Sequence, residues 1–205
     1  KNKNPKFFTI LGSGVDTKFF NKAKFPEKLT FMMISRLIKY KGIESFMKTA
    51  TIIKKKYPKT EFILVGKKQR EFSLDNKIIV KALKNGAIKL FSWKKNSKSL
   101  FNKCSIYILP SKREGLSRSI LEAMSCGKPI ITSNVPGCRQ TIINNYNGFL
   151  VKYNDHLSLI IAVEKFIKKK FLIKKFGNNS RKRAVKYFDV KNINKKILKI
   201  IQIKL

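Results

Sequence analysis

The chain has 205 residues, of which 43% are hydrophobic, and it carries a formal net charge of +36. This length and composition are typical of a globular protein with a sizeable core and exclude a disordered chain. The charge points first to nucleic acid, but 40 of the 47 basic residues are lysines spread along the whole chain. Because base readout and bidentate phosphate contacts favour arginine, we expect no specific nucleic-acid partner. A basic surface facing anionic lipid is compatible with this composition.

The cysteines and the apolar runs indicate the compartment. The three cysteines, Cys104, Cys126 and Cys138, are far apart and show neither metal-binding nor redox spacing. We therefore expect buried thiols in a reducing cytoplasm. No apolar run approaches the roughly 20 residues of a membrane span, and no signal peptide is recognisable. These observations predict a cytoplasmic protein whose contact with the inner face of the cell membrane, if it has one, is peripheral.

Strand and helix patterns alternate along the chain from residue 29. Apolar runs predict buried strands, and apolar residues at helical spacing predict the helices between them. The predicted strands are 29–34, 61–66, 87–91, 105–109, 129–132 and 147–151, with a further short strand at 7–11. The predicted helices are 43–57, 68–84, 96–103 and 136–143, followed by helices only from residue 155 onward.

This alternation predicts an α/β fold, a Rossmann-like parallel sheet flanked by helices. Residues 1–28 are rich in turn-forming residues and predict a lead-in segment. Residues 155–205 predict a helical C-terminal tail that is interrupted at 178–180, where Asn-Asn-Ser follows a glycine. No repeat or low-complexity linker divides the chain, so we expect a single domain over 1–205.

The strand at 105–109 leads into a loop that carries Glu114 and then into a helix that carries Glu122. A strand–loop–helix unit of this kind directs backbone N–H groups and a helix N-terminus to one point, which suits phosphate. An ionised carboxylate accepts hydrogen bonds only, so glutamates there suit a ligand that also has hydroxyls. The ligand would then be a nucleotide, a sugar phosphate or a nucleotide sugar. The competing interpretation is an ordinary βα unit with solvated glutamates.

Two cations, Arg36 and Lys41, follow the first predicted strand. Ligands of open α/β sheets bind at the carboxyl ends of the strands. Cations at the start of a helix oppose its dipole, and an anion such as pyrophosphate would explain their presence. Arg36 is one of only seven arginines, whereas Lys41 is also explained by the lysine-rich composition.

Three segments carry a family resemblance: 114–117 (Glu-Gly-Leu-Ser), 122–124 (Glu-Ala-Met) and 127–131 (Gly-Lys-Pro-Ile-Ile). Together they resemble the paired-glutamate signature of retaining glycosyltransferases with the GT-B fold (family 4, glycosyl transferases group 1). The resemblance extends over roughly residues 10–190, and Gly14-Val15-Asp16 resembles the passage between the two domains of such enzymes. It implies the C-terminal, donor-binding half of an enzyme that moves a hexosyl group from a nucleoside diphosphate sugar to a hydroxyl without a metal or other cofactor.

The resemblance also implies roles for particular residues. Glu114 is expected near the donor sugar as the catalytic carboxylate, and Glu122 is expected on the ribose hydroxyls. Arg36 and Lys41 would hold the diphosphate. The remaining predicted donor-binding residues are Gly115, Leu116 and Ser117, through backbone N–H groups, and Trp93, which would flank the base. A half-buried core position is the competing interpretation for Trp93.

Residues 133–139 resemble the version of this segment in bacterial surface-polysaccharide and lipid-linked oligosaccharide enzymes. This implies a UDP-sugar donor, with a galactose- or N-acetylgalactosamine-like sugar, and a glycan or polyprenyl-phosphate-linked acceptor. Family members also have an N-terminal acceptor domain of similar size, to which nothing in these 205 residues corresponds. The chain would then need a missing domain or a partner subunit. The rival hypotheses are a binding-only remnant, a split-enzyme subunit, and a basic protein that binds nucleic acid or membrane surfaces.

Overall fold

The computed structural model describes residues 8–10, 12–66, 77–93 and 97–202. Six parallel strands form one sheet in the order β3-β2-β1-β4-β5-β6. They are β1 (Thr30–Ile34), β2 (Glu61–Gly66), β3 (Lys89–Ser92), β4 (Ile106–Leu109), β5 (Ile130–Ser133) and β6 (Gly148–Val151). The predicted α/β class and all six strands from residue 29 onward are confirmed, to within two residues at each end.

Helices connect the strands and follow the last one. They are α1 (Ile43–Lys56), α2 (Lys77–Lys84), α3 (Arg118–Ser125), α4 (Pro136–Arg139), α5 (His156–Lys168), α6 (Phe171–Tyr187) and α7 (Val190–Gln202), with 3-10 helices at Lys39–Lys41 and Lys98–Lys103. From β1 the chain adds β2 and β3 toward one edge of the sheet, and it then returns to the other side of β1 and adds β4, β5 and β6 toward the opposite edge. In open parallel sheets the loops that leave such neighbouring strands separate at this point and open a crevice for ligands.

The apolar pattern of each element explains its place in the fold. All five residues of β1 are buried, as expected for a strand covered by helices on both faces. Helix α1 buries a stripe that includes Phe46, Met47, Ala50 and Ile53 and packs against α5. Burial of a large apolar side chain stabilises the fold by about 1.5–3 kcal/mol. The core therefore fixes the sheet rigidly beneath its connecting loops.

The predicted interruption at 178–180 is wrong, because α6 continues without a break from Phe171 to Tyr187. The side chains that favoured a break are engaged with the rest of the protein. Asn179 Nδ2 donates to the Tyr146 carbonyl (2.8 Å) and Ser180 Oγ to the Asn147 carbonyl (3.2 Å). At Gly177 a Cβ would lie 2.3 Å from the backbone oxygen of Gly127, in the loop between α3 and β5, so glycine here permits close packing and does not end the helix.

Three further predicted elements differ from the structure or lie partly outside the described residues. Residues 8–10 are not a strand, and the rest of the predicted strand at 7–11 is outside the described residues. The helix predicted at 136–143 ends at Arg139, because Asn147 and Gly148 fold the following residues into a loop against β6. Residues 77–84 of the helix predicted at 68–84 are helical, and 68–76 are outside the described residues.

The lead-in segment is attached to the C-terminal helices. Val15 N donates to the Phe188 carbonyl at 2.8 Å. The Arg181 guanidinium donates to the carbonyls of Thr17 (3.0 Å) and Ser125 (2.8 Å), so one side chain joins the lead-in segment, α3 and α6. These contacts hold residues 13–16 over the carboxyl ends of the strands. Among the described residues, no helix is both long and apolar enough to cross a bilayer.

Candidate functional site

A cleft of about 1030 Å³ opens at the carboxyl ends of β1, β3 and β4. It is lined by residues 13–16, 19, 20, 34–36, 41, 93, 97, 114, 117–119, 122 and 190. The loops after β1 and β4 form its floor, and the lead-in segment forms one wall. The position is the one that strand order alone predicts for a ligand.

Glu114 lies in this cleft and forms an ion pair with Lys41. Lys41 Nζ is 2.6 Å from Glu114 Oε1, and the two side chains are only 15% and 9% exposed. Burial of an unpaired carboxylate is unfavourable, and the Lys41 ammonium supplies the partner that Glu114 needs at this position. The pairing shows that Lys41 has a specific partner and is not simply one more surface lysine.

Close backbone packing positions the loop that carries Glu114. At Gly137, in α4, a Cβ would lie 1.5 Å from the Gly115 carbonyl oxygen and 2.2 Å from that of Glu114. At Gly42, at the start of α1, a Cβ would lie 2.1 Å from the Pro110 oxygen. Glycine is required at both places because only a bare Cα fits. The loop is therefore held from two sides.

Glu122 lies in the second turn of α3, on the face that borders the cleft. Ser97 Oγ donates to Glu122 Oε2 at 3.1 Å, and Arg118 Nε is 3.5 Å from Oε1. Burial raises the pKa of the Glu122 carboxyl, although these two partners oppose the rise. The site thus places two carboxylates in different surroundings, one paired with an ammonium and one held mainly by a hydroxyl.

A chain of hydroxyls connects the beginning of α3 to the end of β1. The Tyr107 phenol lies 2.7 Å from Ser119 Oγ and donates to the Ile34 carbonyl at 2.9 Å. Ser117 Oγ is 3.3 Å from Ser119 Oγ. Tyr107 is fully buried, and burial raises the pKa of its phenol, so it stays neutral. This chain couples the two loops that carry Arg36 and Glu114.

The structure brings most of the sequence-predicted residues together. Arg36 is exposed at the cleft and forms no ion pair among the described residues. Trp93 also lines the cleft, and its side chain is 49% exposed. Two predicted residues are set apart from the cleft walls: Leu116 packs against Gly12 and the core, and Gly115 faces Gly137.

Several residues of the cleft escaped the sequence interpretation. Ser97, Arg118 and Ser119 line it, and Tyr107 supports it from below. Serines are common along the chain, and nothing in their spacing reveals a partner that the fold brings from another element. The cysteines are all free and buried, and burial raises the pKa of Cys104 and Cys126 to about 12. Within the described ranges, no cluster of His, Cys, Asp and Glu could hold a metal ion.

A model of the family described as glycosyl transferases group 1 matches residues 15–183. An N,N'-diacetylbacillosaminyl-diphospho-undecaprenol alpha-1,3-N-acetylgalactosaminyltransferase of Campylobacter jejuni is 30% identical over 183 residues, which cover 89% of this chain and 47% of that protein. A UDP-Gal:alpha-D-GlcNAc-diphosphoundecaprenol alpha-1,3-galactosyltransferase of Escherichia coli is 28% identical, with 94% of this chain and 53% of that protein covered. The chain thus spans about half the length of these relatives.

Solved structures agree on the fold. The crystal structure of HepE from Anabaena in complex with UDP superposes with a TM-score of 0.83 at 20% identity, over 92% of this chain and 56% of that one. At this identity the likeness concerns the fold alone. The sheet, its order and the C-terminal helices are those of one half, the C-terminal domain, of a GT-B glycosyltransferase.

Proposed function

Because the chain belongs to the family of glycosyl transferases group 1, we propose that its cleft binds a nucleoside diphosphate sugar, with UDP as the nucleotide. In the complete protein a hexosyl group would pass to a hydroxyl of a glycan or a polyprenyl-phosphate-linked acceptor during synthesis of a bacterial surface polysaccharide. The names of the C. jejuni and E. coli relatives, both of which include a lipid-linked diphosphate, support this acceptor class. The UDP named for one relative and bound in HepE supports the donor.

The observation that supports the proposal is that four charged side chains from distant parts of the sequence line the same cleft. Arg36 and Lys41 follow β1, and Glu114 and Glu122 follow β4, more than 70 positions later in the chain, yet all four line one cleft. Two cations and two acceptors at the carboxyl ends of parallel strands suit a ligand with both phosphates and hydroxyls. A site for a simple anion would not need buried carboxylates.

The proposed donor lies along the cleft in an order set by these charges. The base lies at Trp93, the ribose hydroxyls at Glu122, and the diphosphate between Arg36 and the first N–H groups of α3 near Ser117. An ammonium has three donors, and Lys41 uses one on Glu114, so two are free to face a phosphate. Lys41 would then bridge the diphosphate and the catalytic carboxylate.

Glu114 supplies the chemistry in this proposal. As the bond between the sugar and the diphosphate breaks, positive charge develops on the sugar and negative charge on the leaving phosphate. A fixed carboxylate beside the sugar and fixed cations beside the phosphate would stabilise both charges. We propose that the reaction proceeds with retention of the donor's anomeric configuration and without a metal. We propose that the acceptor is held by the part of such enzymes to which this chain does not align, since the chain spans about half the length of its relatives.

Calorimetric titration with UDP tests donor binding. Arg36→Ala should weaken UDP binding by roughly 1.5–3 kcal/mol, the range for a hydrogen bond to a charged group. Lys39→Ala is the matched control, because it removes a cation from the same loop at an exposed position outside the cleft walls. Equal UDP affinity for wild type and Arg36→Ala would contradict the placement of the diphosphate.

A salt titration separates this proposal from general binding of polyanions by a chain of charge +36. Affinity for a DNA oligomer should fall steeply between low and physiological salt, because counterions are released with each phosphate contact. UDP affinity should fall far less, since a pocket with buried partners is screened less by salt. An equally steep fall for both ligands would favour the nucleic-acid or membrane-surface hypothesis.

A further inference from the structure

Ser119 stands at the junction between the hydroxyl chain and the cleft. Its Oγ is 2.7 Å from the Tyr107 phenol oxygen and 3.3 Å from Ser117 Oγ. Ser119 is the second residue of α3 and lines the cleft wall. Glu122 lies three positions further along the helix, so the two side chains are neighbours on one face, about 5–6 Å apart at their Cβ atoms.

The number of protons available determines which group donates in each of these hydrogen bonds. The Ile34 carbonyl has no hydrogen, so the phenol of Tyr107 must donate in their 2.9 Å contact. The Ile34 carbonyl also lies beyond the last register pair of β1 and β4, Met32 with Tyr107, which leaves the phenol as its donor on that side of the strand. A phenol has one proton. In its 2.7 Å contact with Ser119, Tyr107 therefore accepts, and Ser119 donates.

The consequence is that the single proton of Ser119 points away from the cleft. What Ser119 offers to a ligand is a lone pair, so it attracts a hydroxyl and repels a phosphate oxygen. Tyr107 is 0% exposed and stays neutral, so no titration near neutral pH reverses the direction. Donation from Ser119 to a phosphate would require the serine proton to leave its contact with the Tyr107 phenol oxygen.

From these contacts we infer that Ser119 is a second hydroxyl acceptor beside Glu122, and that together they recognise the two ribose hydroxyls of the donor nucleotide. In this arrangement one ribose hydroxyl donates to Glu122 and the other donates to Ser119. Ser119 lies on the N-terminal side of Glu122, between the proposed ribose and phosphate positions, where a ribose hydroxyl is the available donor. This inference rests on the proposed function, because it assumes that the cleft holds a ribonucleotide.

Calorimetry with UDP, 2′-deoxy-UDP and 3′-deoxy-UDP tests the inference on wild type and Ser119→Ala. Ser119→Ala should bind UDP about threefold to tenfold more weakly, the effect of one neutral hydrogen bond. With one deoxy analogue, Ser119→Ala should lose nothing further, because the partner of that hydroxyl is already gone. With the other analogue it should lose as much as wild type does. Such a double-mutant cycle isolates the pairwise contact.

Ser99→Ala is the matched control, because Ser99 is exposed and outside the cleft walls; it should behave as wild type with all three ligands. The inference is overturned if Ser119→Ala loses the same factor as wild type with both analogues. If wild type itself does not bind UDP, the proposed function fails, and the inference fails with it for a recognisably different reason. A thermal melt of each variant confirms that the fold is intact.

Discussion

The two ends of the parallel sheet each hold a large opening, yet they differ in what lines it. The cleft at the carboxyl ends measures about 1030 Å³. A second opening at the amino ends, the amino-end groove, measures about 1160 Å³. Its lining includes Phe25, Leu29, Tyr57, Ile167 and Phe171 together with Lys28, Lys54, Lys56, Lys59, Lys170 and Lys174. Volume alone would therefore favour the amino-end groove slightly.

Buried polar groups distinguish the two ends. The cleft collects Glu114 and Glu122, with side chains only 9% and 12% exposed. In the amino-end groove two of the lysines are used within the fold: Lys54 donates to two backbone carbonyls, and Lys56 pairs with Glu164. A site is therefore better recognised by convergent buried acceptors and donors than by volume.

Each end also holds a buried cation, and the comparison is instructive. Lys41, at the carboxyl end, pairs with a carboxylate at 2.6 Å. Lys128, at the amino end, is fully buried, donates to the Lys24 carbonyl at 2.7 Å and stacks over the Phe25 ring at 4.2 Å. Burial lowers the pKa of Lys128 to about 8. One cation lines the cleft, and the other attaches the lead-in segment to the sheet.

The largest expected effect concerns Glu114. In a protein that joins this chain to an acceptor-binding domain, Glu114→Gln should lower kcat by about 10²–10³-fold, because a charge aimed at the transition state is lost. UDP affinity should change little. Glu122→Gln should instead weaken UDP binding by about tenfold, since its contacts are made in ground and transition states alike. Turnover assays and UDP titrations of both variants separate the two roles.

Reversed effects of these two glutamine variants would mean that the roles of the glutamates are exchanged. If both variants match wild type in turnover and affinity, the loop and helix after β4 are ordinary fold, and the glycosyltransferase mechanism proposed for this cleft fails. The chain alone should bind UDP yet transfer sugar very slowly, because in the proposed function the other half of the enzyme would hold the acceptor beside the donor. Rapid transfer to a polyprenyl-phosphate-linked acceptor by the chain alone would contradict that expectation.

Gly137→Ala tests whether packing positions the Glu114 loop. The new Cβ would lie 1.5 Å from the Gly115 oxygen, so the loop must move. We expect a loss of about 1–3 kcal/mol in the free energy of unfolding, the range for overpacking. Gly115→Ala, on the other side of the same contact, has open space around its Cβ position and should change that free energy far less. Equal denaturant midpoints for the two variants would show that the contact does not hold the loop.

Lys128 sets a pH dependence at the amino end. Its ordinary pKa is 10.5, and burial lowers the folded-state pKa to about 8. Between these values the unfolded state binds more protons than the folded state, so stability rises with pH. Relative to Lys128→Met, wild type should gain roughly 1–2 kcal/mol between about pH 8 and pH 9.5. Denaturant unfolding of both proteins at the two pH values measures the difference, and parallel curves would place the ammonium in water.

The last prediction is that a substitution in the amino-end groove leaves UDP affinity unchanged. Phe171→Ser changes a side chain that is 65% exposed in the amino-end groove. UDP affinity should stay within the error of the titration, because the groove lies at the opposite end of the sheet from the cleft. A clear loss of UDP affinity would contradict the conclusion that only the cleft at the carboxyl ends binds UDP.

The sequence was sufficient for the sheet and for the main partners in the cleft. Strand runs separated by helical patterns determine a parallel sheet, and a parallel sheet places the residues after its strands at one edge. Arg36, Lys41, Glu114 and Glu122 could therefore be assigned to one site before any coordinates. Their contacts could not, because the ion pair between Lys41 and Glu114 depends on how two loops pack.

The failures have the same physical origin. The Asn-Asn-Ser segment at 178–180 favours a break locally, but contacts with Tyr146 and Asn147 keep α6 intact. Lys128 is one of 40 lysines, and no pattern marks it as buried. Ser97 and Ser119 acquire their roles from partners brought by other elements. Local pattern determines which elements form, whereas packing determines which side chains meet.

The most direct test of the central claim, that the carboxyl-end cleft is the donor site, is a structure of this chain with UDP bound. We expect UDP in the cleft, with its ribose at Glu122 and its diphosphate at Arg36 and Lys41. Density for UDP in the amino-end groove, or at the cleft with the ribose remote from Glu122, would contradict the account.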